Sequence, residues 1–190
     1  MKNVYYICNM KISQVTTSKK IGSIIKKDDD SPNKIQAIWI DGKDPLLKDN
    51  RGRVYLLVVN GIIYKIGGSQ CNGGIKATIR GYTNCMNGTP SDRSYIIHRL
   101  IRRELDLGNE VDIHMITTEP VMTLVSGLFG NTMKLVSPFK EMELNCVEDY
   151  NKNTGTYPKW NFQESNNKYP SDLAEEYGQF KANKTTNANK

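Results

Sequence analysis

Two short apolar runs separated by an Asn-Gly dipeptide form the clearest local pattern in the chain. Residues 54–59 and 62–66 are mostly β-branched or large apolar residues, and Asn60 and Gly61 lie between the two runs. A type I′ turn requires positive φ at both central residues, a conformation that Asn and Gly adopt readily. The pattern therefore predicts a tight β-hairpin.

Apolar residues recur at helical spacing in three stretches after this hairpin, at residues 75–86, 91–105 and 139–150. Each stretch is long enough for a helix, and Ser91 offers a side-chain cap at the start of the second. Residues 110–117 instead alternate between apolar and polar side chains, which is typical of a half-buried strand. The chain is therefore predicted to run strand, turn, strand, helix, helix, strand, helix.

The patterns are weaker elsewhere in the chain. Residues 35–40 form a short apolar run that predicts a strand, and the apolar stretch at residues 121–129 is interpreted as helical. Near the C-terminus, residues 171–180 favour a short helix. Residues 181–190 consist largely of Asn, Lys and Thr, a composition typical of a disordered tail.

This order of elements predicts an α+β fold, a three-stranded antiparallel sheet flanked by helices. Residues 1–52 are predicted to form an N-terminal extension, residues 53–162 the core and residues 163–190 a C-terminal segment. A chain of 190 residues suits one domain with an appended segment. It can also bury a core without disulfide bonds.

Charge and composition narrow the range of functions. With 26 Lys and Arg against 20 Asp and Glu, the chain carries a formal charge of +6, which favours an anionic partner such as nucleic acid. No apolar run approaches the ~20 residues that a membrane span requires. No signal peptide is apparent, so we expect a cytoplasmic protein without membrane contact. The four cysteines have no zinc-site spacing, and we expect them to be reduced.

A glycine-rich stretch follows the predicted hairpin at residues 67–74. It lacks the Gly-Lys-Ser/Thr ending of a phosphate-binding P-loop, which argues against a nucleotide triphosphatase.

One carboxylate stands out by its position. Glu143 lies in the middle of the apolar face of the third predicted helix, four residues after Phe139. A carboxylate on an inward face is unfavourable by several kcal/mol unless it is paired or bound to a metal. Glu143 is therefore a candidate metal ligand. The alternative is an ion pair with an arginine in the core.

Basic residues on the predicted helices are candidates for binding DNA. Arg99, Arg102 and Arg103 share one face of the second helix, and Lys76 lies on the first. Such a stripe can follow a phosphate backbone. The alternative, common for charged helix faces, is that these side chains are simply solvated.

Several motifs, in order and spacing, resemble those of the GIY-YIG nuclease family. The residues that carry the resemblance are Arg53-Val54-Tyr55 where the family has Gly-Ile-Tyr, Lys65-Ile66-Gly67 where it has Tyr-Ile-Gly, Arg80 in the next helix, Glu143 in the third helix, and Pro158, Trp160 and Asn161 after it. The resemblance covers more than half of the chain.

The chain departs from the family pattern at three places. Arg53 replaces a glycine, Lys65 replaces a tyrosine, and Asn84 stands one helical turn after Arg80, where the family has a hydroxyl or a histidine. Lysine at the second place resembles a branch of small type II restriction enzymes. Residues 89–116, together with the Pro-x-Trp-Asn ending, also resemble phage endonuclease II.

The resemblance implies a Mg²⁺-dependent or Mn²⁺-dependent endonuclease that cuts double-stranded DNA and forms a homodimer. Glu143 would hold the metal, Arg80 would clamp the scissile phosphate, and Tyr55 would activate the attacking water. Tyr82 is the tyrosine nearest to the place of the missing hydroxyl. Asn161 would contact DNA or support the glutamate helix.

Lys65 is expected to lower the pKa of Tyr55, since a nearby ammonium stabilises a phenolate. Regular antiparallel pairing about the Asn-Gly turn places Lys65 opposite Leu56, beside Tyr55. The two side chains can then meet only diagonally or through a bulge. The alternative is that Tyr55 is an ordinary strand tyrosine and Lys65 a solvated charge.

A sequence-specific restriction enzyme is the leading hypothesis. The first alternative is a phage-type enzyme that nicks DNA with loose specificity. The second is a DNA-binding module on the same scaffold that lacks catalysis, and the third is a basic α+β protein unrelated to nucleic acid.

Overall fold

A five-stranded antiparallel sheet lies at the centre of the protein, in a computed structural model that describes residues 9–27, 34–49 and 51–188. Its strands are β1 (Lys19–Lys26), β2 (Ile35–Trp39), β3 (Arg53–Val59), β4 (Ile62–Ser69) and β5 (Val111–Thr117), in the order β2-β1-β5-β3-β4. The predicted α+β class is confirmed. The sheet is wider than the predicted three strands because the N-terminal extension adds β1 and β2, with β1 pairing on β5.

Helices cover both faces of the sheet. They are α1 (Gly74–Thr83), α2 (Asp92–Asp106), α3 (Phe139–Thr154) and α4 (Ser171–Ala188). The three helices predicted after the hairpin are confirmed, and Ser91 caps α2 by accepting a hydrogen bond from the backbone N–H of Ser94. Within the described parts of the chain, no helix combines the length and the apolar character needed to cross a bilayer.

The C-terminal helix α4 is longer than predicted. It continues from Phe180 to Ala188, through residues for which disorder was expected, and packs against α2. Residues 189–190 lie outside the described part of the chain.

The prediction of a helix at residues 121–129 is wrong. This stretch forms β6 (Val121–Gly127), which pairs with β7 (Gly130–Val136) in a separate two-stranded sheet. Val121, Thr123 and Val125 alternate with other residues at strand spacing, and β-branched side chains favour a strand over a helix. The short Gly127–Gly130 turn closes the hairpin.

Alternate residues of β3 enter two separate cores. Tyr55 and Leu57 point toward α1 and α2, and Val54 and Leu56 point toward α3. Every residue of β3 is buried, because this strand lies between β5 and β4 and is covered on both faces. β4 is the edge strand beside it, and it carries the residues of greatest chemical interest.

A bulge in β4 changes the predicted register. Val58 pairs with Ile63 as expected, but the register then shifts, so that Lys65 lies opposite Leu57 rather than Leu56. Paired residues share a face of the sheet, and Leu57 is on the same face as Tyr55. The bulge therefore brings Lys65 onto the Tyr55 face as a diagonal neighbour.

Candidate active site

Two tyrosine hydroxyls form the buried centre of the candidate site. Tyr55 projects from β3 and Tyr82 from the last turn of α1, and their oxygens are 2.6 Å apart. Burial raises the pKa of Tyr55 well above its ordinary value, and the neighbouring Tyr82 hydroxyl raises it further. Lys65 was expected to lower the pKa of Tyr55, but the net shift of that pKa is upward. Desolvation of the phenol outweighs the effect of nearby cations.

Tyr82 shares this buried environment. Burial raises its pKa as well, but its hydrogen bond with Tyr55 and the neighbouring Arg93 guanidinium both act in the opposite direction. Either hydroxyl can be the donor in the bond that joins the two tyrosines. His98 supports this arrangement from α2, with its Nδ1 2.8 Å from the backbone oxygen of Tyr82.

Lys65 is a buried lysine with a strongly shifted pKa. Its side chain is 2% exposed. Burial lowers its pKa to about 8, and repulsion by Arg93 contributes. Lys65 and Arg93 line the same small cavity, whose volume of about 10 Å³ has room for about one water molecule. The site thus contains an amine that gains and loses its proton near neutral pH, next to space for a water.

Arg93 is the arginine that the structure brings to this cluster. It lies in the first turn of α2, and its Nη1 is 3.3 Å from Oε1 of Gln163. Burial lowers the pKa of Arg93, but the two phenols, Glu164 and Glu143 raise it by more, so the guanidinium stays charged. Arg93 also lines the open cleft that contains Glu143.

Glu143 approaches the same place from the other side of the sheet. It projects from α3 onto the backbone of Gly68 in β4, where a Cβ atom at position 68 would lie 2.4 Å from its Oε2. Within residues 9–27, 34–49 and 51–188, no lysine or arginine is within salt-bridge distance of Glu143. The alternative of an arginine ion pair in the core is therefore not realised among these residues.

Two consecutive glycines let groups from both faces of the sheet meet. A Cβ atom at Gly67 would lie 2.4 Å from the Tyr55 ring, just as one at Gly68 would strike Glu143. Because side chains alternate across a strand, Gly67 is bare on the tyrosine side and Gly68 on the glutamate side. We call the group formed by Tyr55, Tyr82, Lys65, Arg93 and Glu143 the edge cluster.

The donor set of the edge cluster fits a hard divalent cation. Glu143 lies in an open cleft of about 580 Å³ that Arg93 also lines. Among the described residues, no three or more His, Cys, Asp and Glu side chains come together as a metal site. Mg²⁺ often takes only one or two protein carboxylates and completes its shell with water and phosphate oxygens. A single carboxylate in a cleft wide enough for a phosphate suits that chemistry.

Arg80 and Lys76 lie elsewhere. Both line a second cleft of about 500 Å³, between α1 and β2, that is also lined by Trp39 and Lys48. Arg80 is exposed, and Lys76 donates to the Gly42 carbonyl at 2.5 Å. The structure therefore does not bring Arg80 together with Glu143, contrary to what the motif order implied. The reason is that Arg80 projects from a different side of α1 than Tyr82.

The three arginines of the α2 stripe are engaged within the protein. Arg99 pairs with Glu176 at 3.0 Å and Arg103 with Asp172 at 2.5 Å, both carboxylates belonging to α4. Arg102 pairs with Asp106, one turn further along α2. The predicted phosphate-binding stripe is thus largely neutralised, because the terminal helix packs along it.

Asn161 is a structural residue in this fold. It is fully buried, its Oδ1 accepts from the backbone N–H of Ile66 at 2.9 Å, and its Nδ2 donates to the carbonyl of Ile66 at 2.9 Å. The backbone N–H of the neighbouring Trp160 donates to the Tyr64 carbonyl at 2.7 Å. The expectation that Asn161 contacts DNA is wrong here, since its amide is used to hold the bulged part of β4 in place.

Arg93 was missed as a site residue although the sequence contains a signal for it. Ile96, Ile97, Leu100 and Ile101 follow it at the spacing of the apolar face of α2. Arg93 therefore lies on the inward face, apart from the Arg99, Arg102 and Arg103 stripe. An inward arginine requires partners, which is the same argument that singled out Glu143.

Two of the solved structures that match this chain in a structural comparison are as follows. A mutant of EndoII from bacteriophage T4 has a TM-score of 0.53 and 14% sequence identity, over 80% of this chain and 98% of that one. The restriction endonuclease HPY188I in complex with product DNA has a TM-score of 0.46 and 22% identity, over 79% of this chain and 84% of that one. No protein-family profile and no curated protein matches the sequence. The chain shares the fold of EndoII.

Proposed function

We propose that this protein is a metal-dependent endonuclease of the GIY-YIG type that hydrolyses phosphodiester bonds in duplex DNA. The observation that carries the proposal is the edge cluster itself. It gathers one carboxylate, one buried amine, one guanidinium and two phenols around a pair of glycines, beside an open cleft. The fold shared with EndoII of bacteriophage T4, whose name denotes an endonuclease, supports the same conclusion.

Arg93 is the group we assign to the scissile phosphate. A guanidinium offers a planar fork of donors that matches phosphate oxygens, and Arg93 faces the cleft that contains Glu143. Tyr55 and Tyr82 position it, since the Tyr82 hydroxyl interacts with the guanidinium and Tyr55 fixes Tyr82. Arg80 then has a different task. With Lys76 and Lys48 it would contact the DNA backbone away from the cut.

Lys65 is the group we assign to the attacking water. A general base is most effective when its pKa lies near the working pH, and that of Lys65 is about 8. About one molecule in ten then carries the neutral amine at pH 7. The amine lines the cavity with room for one water, so it can accept that water's proton. Tyr55 is less suited to this step because its pKa is raised.

Glu143 would hold the metal ion. A bound Mg²⁺ or Mn²⁺ supplies charge neutralisation at the phosphate and stabilises the leaving oxygen. Glu143 would determine where in the cleft the metal ion is held. Gly68 has no side chain, so the carboxylate of Glu143 can reach the sheet edge.

We further propose sequence-specific cleavage, as in type II restriction enzymes, by a homodimer acting in the cytoplasm. Cutting both strands of a duplex at one site requires two active sites, which a homodimer provides. Mapping the ends produced on a long duplex separates this from loose phage-type nicking. Discrete fragments support restriction, and a smear of nicked products supports the alternative.

The experiment is incubation of the purified protein with long duplex DNA, with Mg²⁺ or with EDTA, followed by gel electrophoresis. We expect cleavage only with the metal, and Glu143→Gln should lower its rate by at least about 10²-fold. Glu141→Gln is the matched control, since Glu141 is an exposed carboxylate on the same helix.

Salt-sensitive DNA binding without cleavage under any metal condition would contradict the proposed activity. It would instead support a binding module that lacks catalysis. Equal cleavage by the Glu143→Gln and Glu141→Gln variants would show that the metal is held elsewhere.

A further inference from the structure

The β6–β7 hairpin is the most unusual surface of the protein. Its two strands pair with each other and with no strand of the five-stranded sheet. Seven of its large apolar side chains are exposed, with Leu128 and Phe129 at the tip 96% and 102% accessible. These seven are Val121, Met122, Leu124, Leu128, Phe129, Met133 and Leu135. Exposed apolar patches larger than a few hundred Å² mark interaction sites in soluble proteins.

The two faces of the hairpin differ in character. Met122 pairs with Leu135 and Leu124 with Met133, so these four side chains share one face. Thr123 and Lys134 pair with each other on the opposite face. We call the first the Met/Leu face. It carries no charge and no hydrogen-bonding side chain at these four positions, and it continues into the apolar tip.

The base of the hairpin contacts the loop that precedes β3, whereas the rest of the hairpin is exposed. Before β6, Glu119 accepts from Arg51 at 2.7 Å, and Arg51 is itself paired with Asp49 at 2.6 Å. After β7, Ser137 and Phe139 pack against Gly52 so closely that a Cβ atom there would lie within 2.8 Å of both. The hairpin is therefore held at a defined place beside the loop that enters β3, and it leads directly into α3, the helix of Glu143.

We propose that the Met/Leu face and tip of this hairpin form the dimer interface, packed against the same surface of a second copy of the chain. Val121 lies on the opposite face, and the other six side chains, on the Met/Leu face and the tip, expose on the order of 800 Å². This is about the area that each partner contributes to a standard protein interface. A single isolated hairpin is marginally stable in water, and packing two such faces together removes both from solvent.

Charge argues for a second copy rather than DNA as the occupant. Lys134 is the one charged residue within β6, its turn and β7, and it lies on the face opposite the Met/Leu face. A DNA-binding arm needs several cations to neutralise phosphates. An uncharged apolar face can instead pack against the same face of a second copy, as an isologous two-fold contact requires.

The arrangement has a consequence for catalysis, which rests on the nuclease activity proposed above. Because β7 is followed after Ser137 and Pro138 by α3, the interface would set the spacing between the two Glu143 carboxylates. The monomer would then retain its edge cluster but lose the coordinated attack on two strands.

The test is the mass of the full-length protein in solution, by sedimentation velocity over a range of concentrations. We expect the unmodified protein to sediment at twice the chain mass of 21.5 kDa. Leu124→Thr with Met133→Thr keeps strand-forming residues but makes the face polar. This variant should weaken the dimer by roughly 30-fold or more. Lys134→Thr, on the opposite face, should leave the dimer unchanged.

A monomeric unmodified protein throughout the micromolar range would overturn the proposal, as would a double variant that dimerises as tightly as the parent. Circular dichroism verifies that each variant is folded. Plasmid cleavage gives an independent reading, with the double variant accumulating nicked circles and the parent linear DNA. Failure of all proteins to cut DNA would refute the nuclease proposal and leave the mass measurement intact as the test of the interface.

Discussion

Two of the β-hairpins in the described part of the chain, β3–β4 and β6–β7, are similar in length but differ in burial. In the β3–β4 hairpin every residue of β3 is buried, and the strands enclose two charged residues, Arg53 and Lys65, at 1% and 2% exposure. The β6–β7 hairpin carries a single charge, and yet it exposes leucine, methionine and phenylalanine. Apolar character alone therefore does not decide which hairpin is buried.

The two hairpins obtain their stability from different contacts. The first lies inside the sheet, where α1 and α2 cover one face and α3 the other, so even charged groups are enclosed and their chemistry is altered. Among the described residues, the contacts of the second hairpin with the rest of the protein lie at its base, and its apolar side chains are exposed. The proposed dimer would cover these side chains.

Replacing Arg93 gives the largest expected effect on this comparison. Arg93→Ala removes the guanidinium from the edge cluster and should lower kcat by roughly 10²–10³-fold, the range for loss of one preorganised donor. Arg80→Ala is the matched variant from the second cleft, and it should change mainly KM and salt dependence. Steady-state kinetics on a short duplex measures both. The reverse pattern would show that Arg80, as the motif order implied, acts on the scissile phosphate.

Replacing Lys65 should raise the free energy of unfolding and abolish DNA cleavage. The folded protein lowers the pKa of Lys65 from 10.5 to about 8, so below pH 8 burial of the ammonium opposes folding by about 3 kcal/mol at most. Lys65→Met removes that penalty. We expect the variant to be more stable than the parent at pH 7 and to lack cleavage activity.

The pH dependence of the free energy of unfolding tests whether burial lowers the pKa of Lys65. Between pH 8 and 10 the folded parent holds a neutral amine while its unfolded chain remains charged, so the parent gains stability with rising pH and the difference from Lys65→Met shrinks. Urea unfolding at several pH values measures this. The parent's cleavage rate should rise from pH 7 through about 8. A destabilised Lys65→Met at pH 7, or a rate that falls across this range, would contradict the role of the amine.

Hydrogen exchange offers a smaller but more local contrast between the hairpins. Amides of β3 are covered on both sides of the strand and should exchange slowly at any protein concentration. Amides of β6 and β7 should gain protection as the concentration rises and a second copy covers them. Mass spectrometry on a dilution series measures amide exchange separately in the peptides that contain β3 and β6–β7. Concentration-independent exchange in both would contradict the interface.

Local signals in the sequence were sufficient for much of the fold. The Asn60-Gly61 turn has positive φ at both residues, as predicted, and α2 begins after the cap that Ser91 was expected to provide. The bulge in β4 could be raised only as a possibility, because the residues that hydrogen-bond beside it, Trp160 and Asn161, are distant in sequence. The bulge places Lys65 on the Tyr55 face.

The candidate site was predictable in parts. Tyr55, Lys65 and Glu143 could be proposed from motif order, and the structure brings them together with Tyr82. Arg80 was expected beside Glu143, but the arginine found there is Arg93. The sequence does not reveal this, because the direction of each side chain depends on how α1 and α2 pack. The β6–β7 hairpin was misjudged because its apolar residues occupy both strands and the tip, which obscures the alternation that normally marks a strand.

The central claim is that bare backbone at the sheet edge lets groups from both faces of the sheet work on one phosphate. The most direct test is metal-dependent cleavage by Gly68→Ala, whose Cβ would displace the Glu143 carboxylate, compared with Gly81→Ala, where nothing lies within 4 Å of the added atom. We expect Gly68→Ala to stay folded and to bind DNA but to cleave at least about 10²-fold more slowly. Gly81→Ala should cleave like the parent. Full cleavage by Gly68→Ala would contradict the claim.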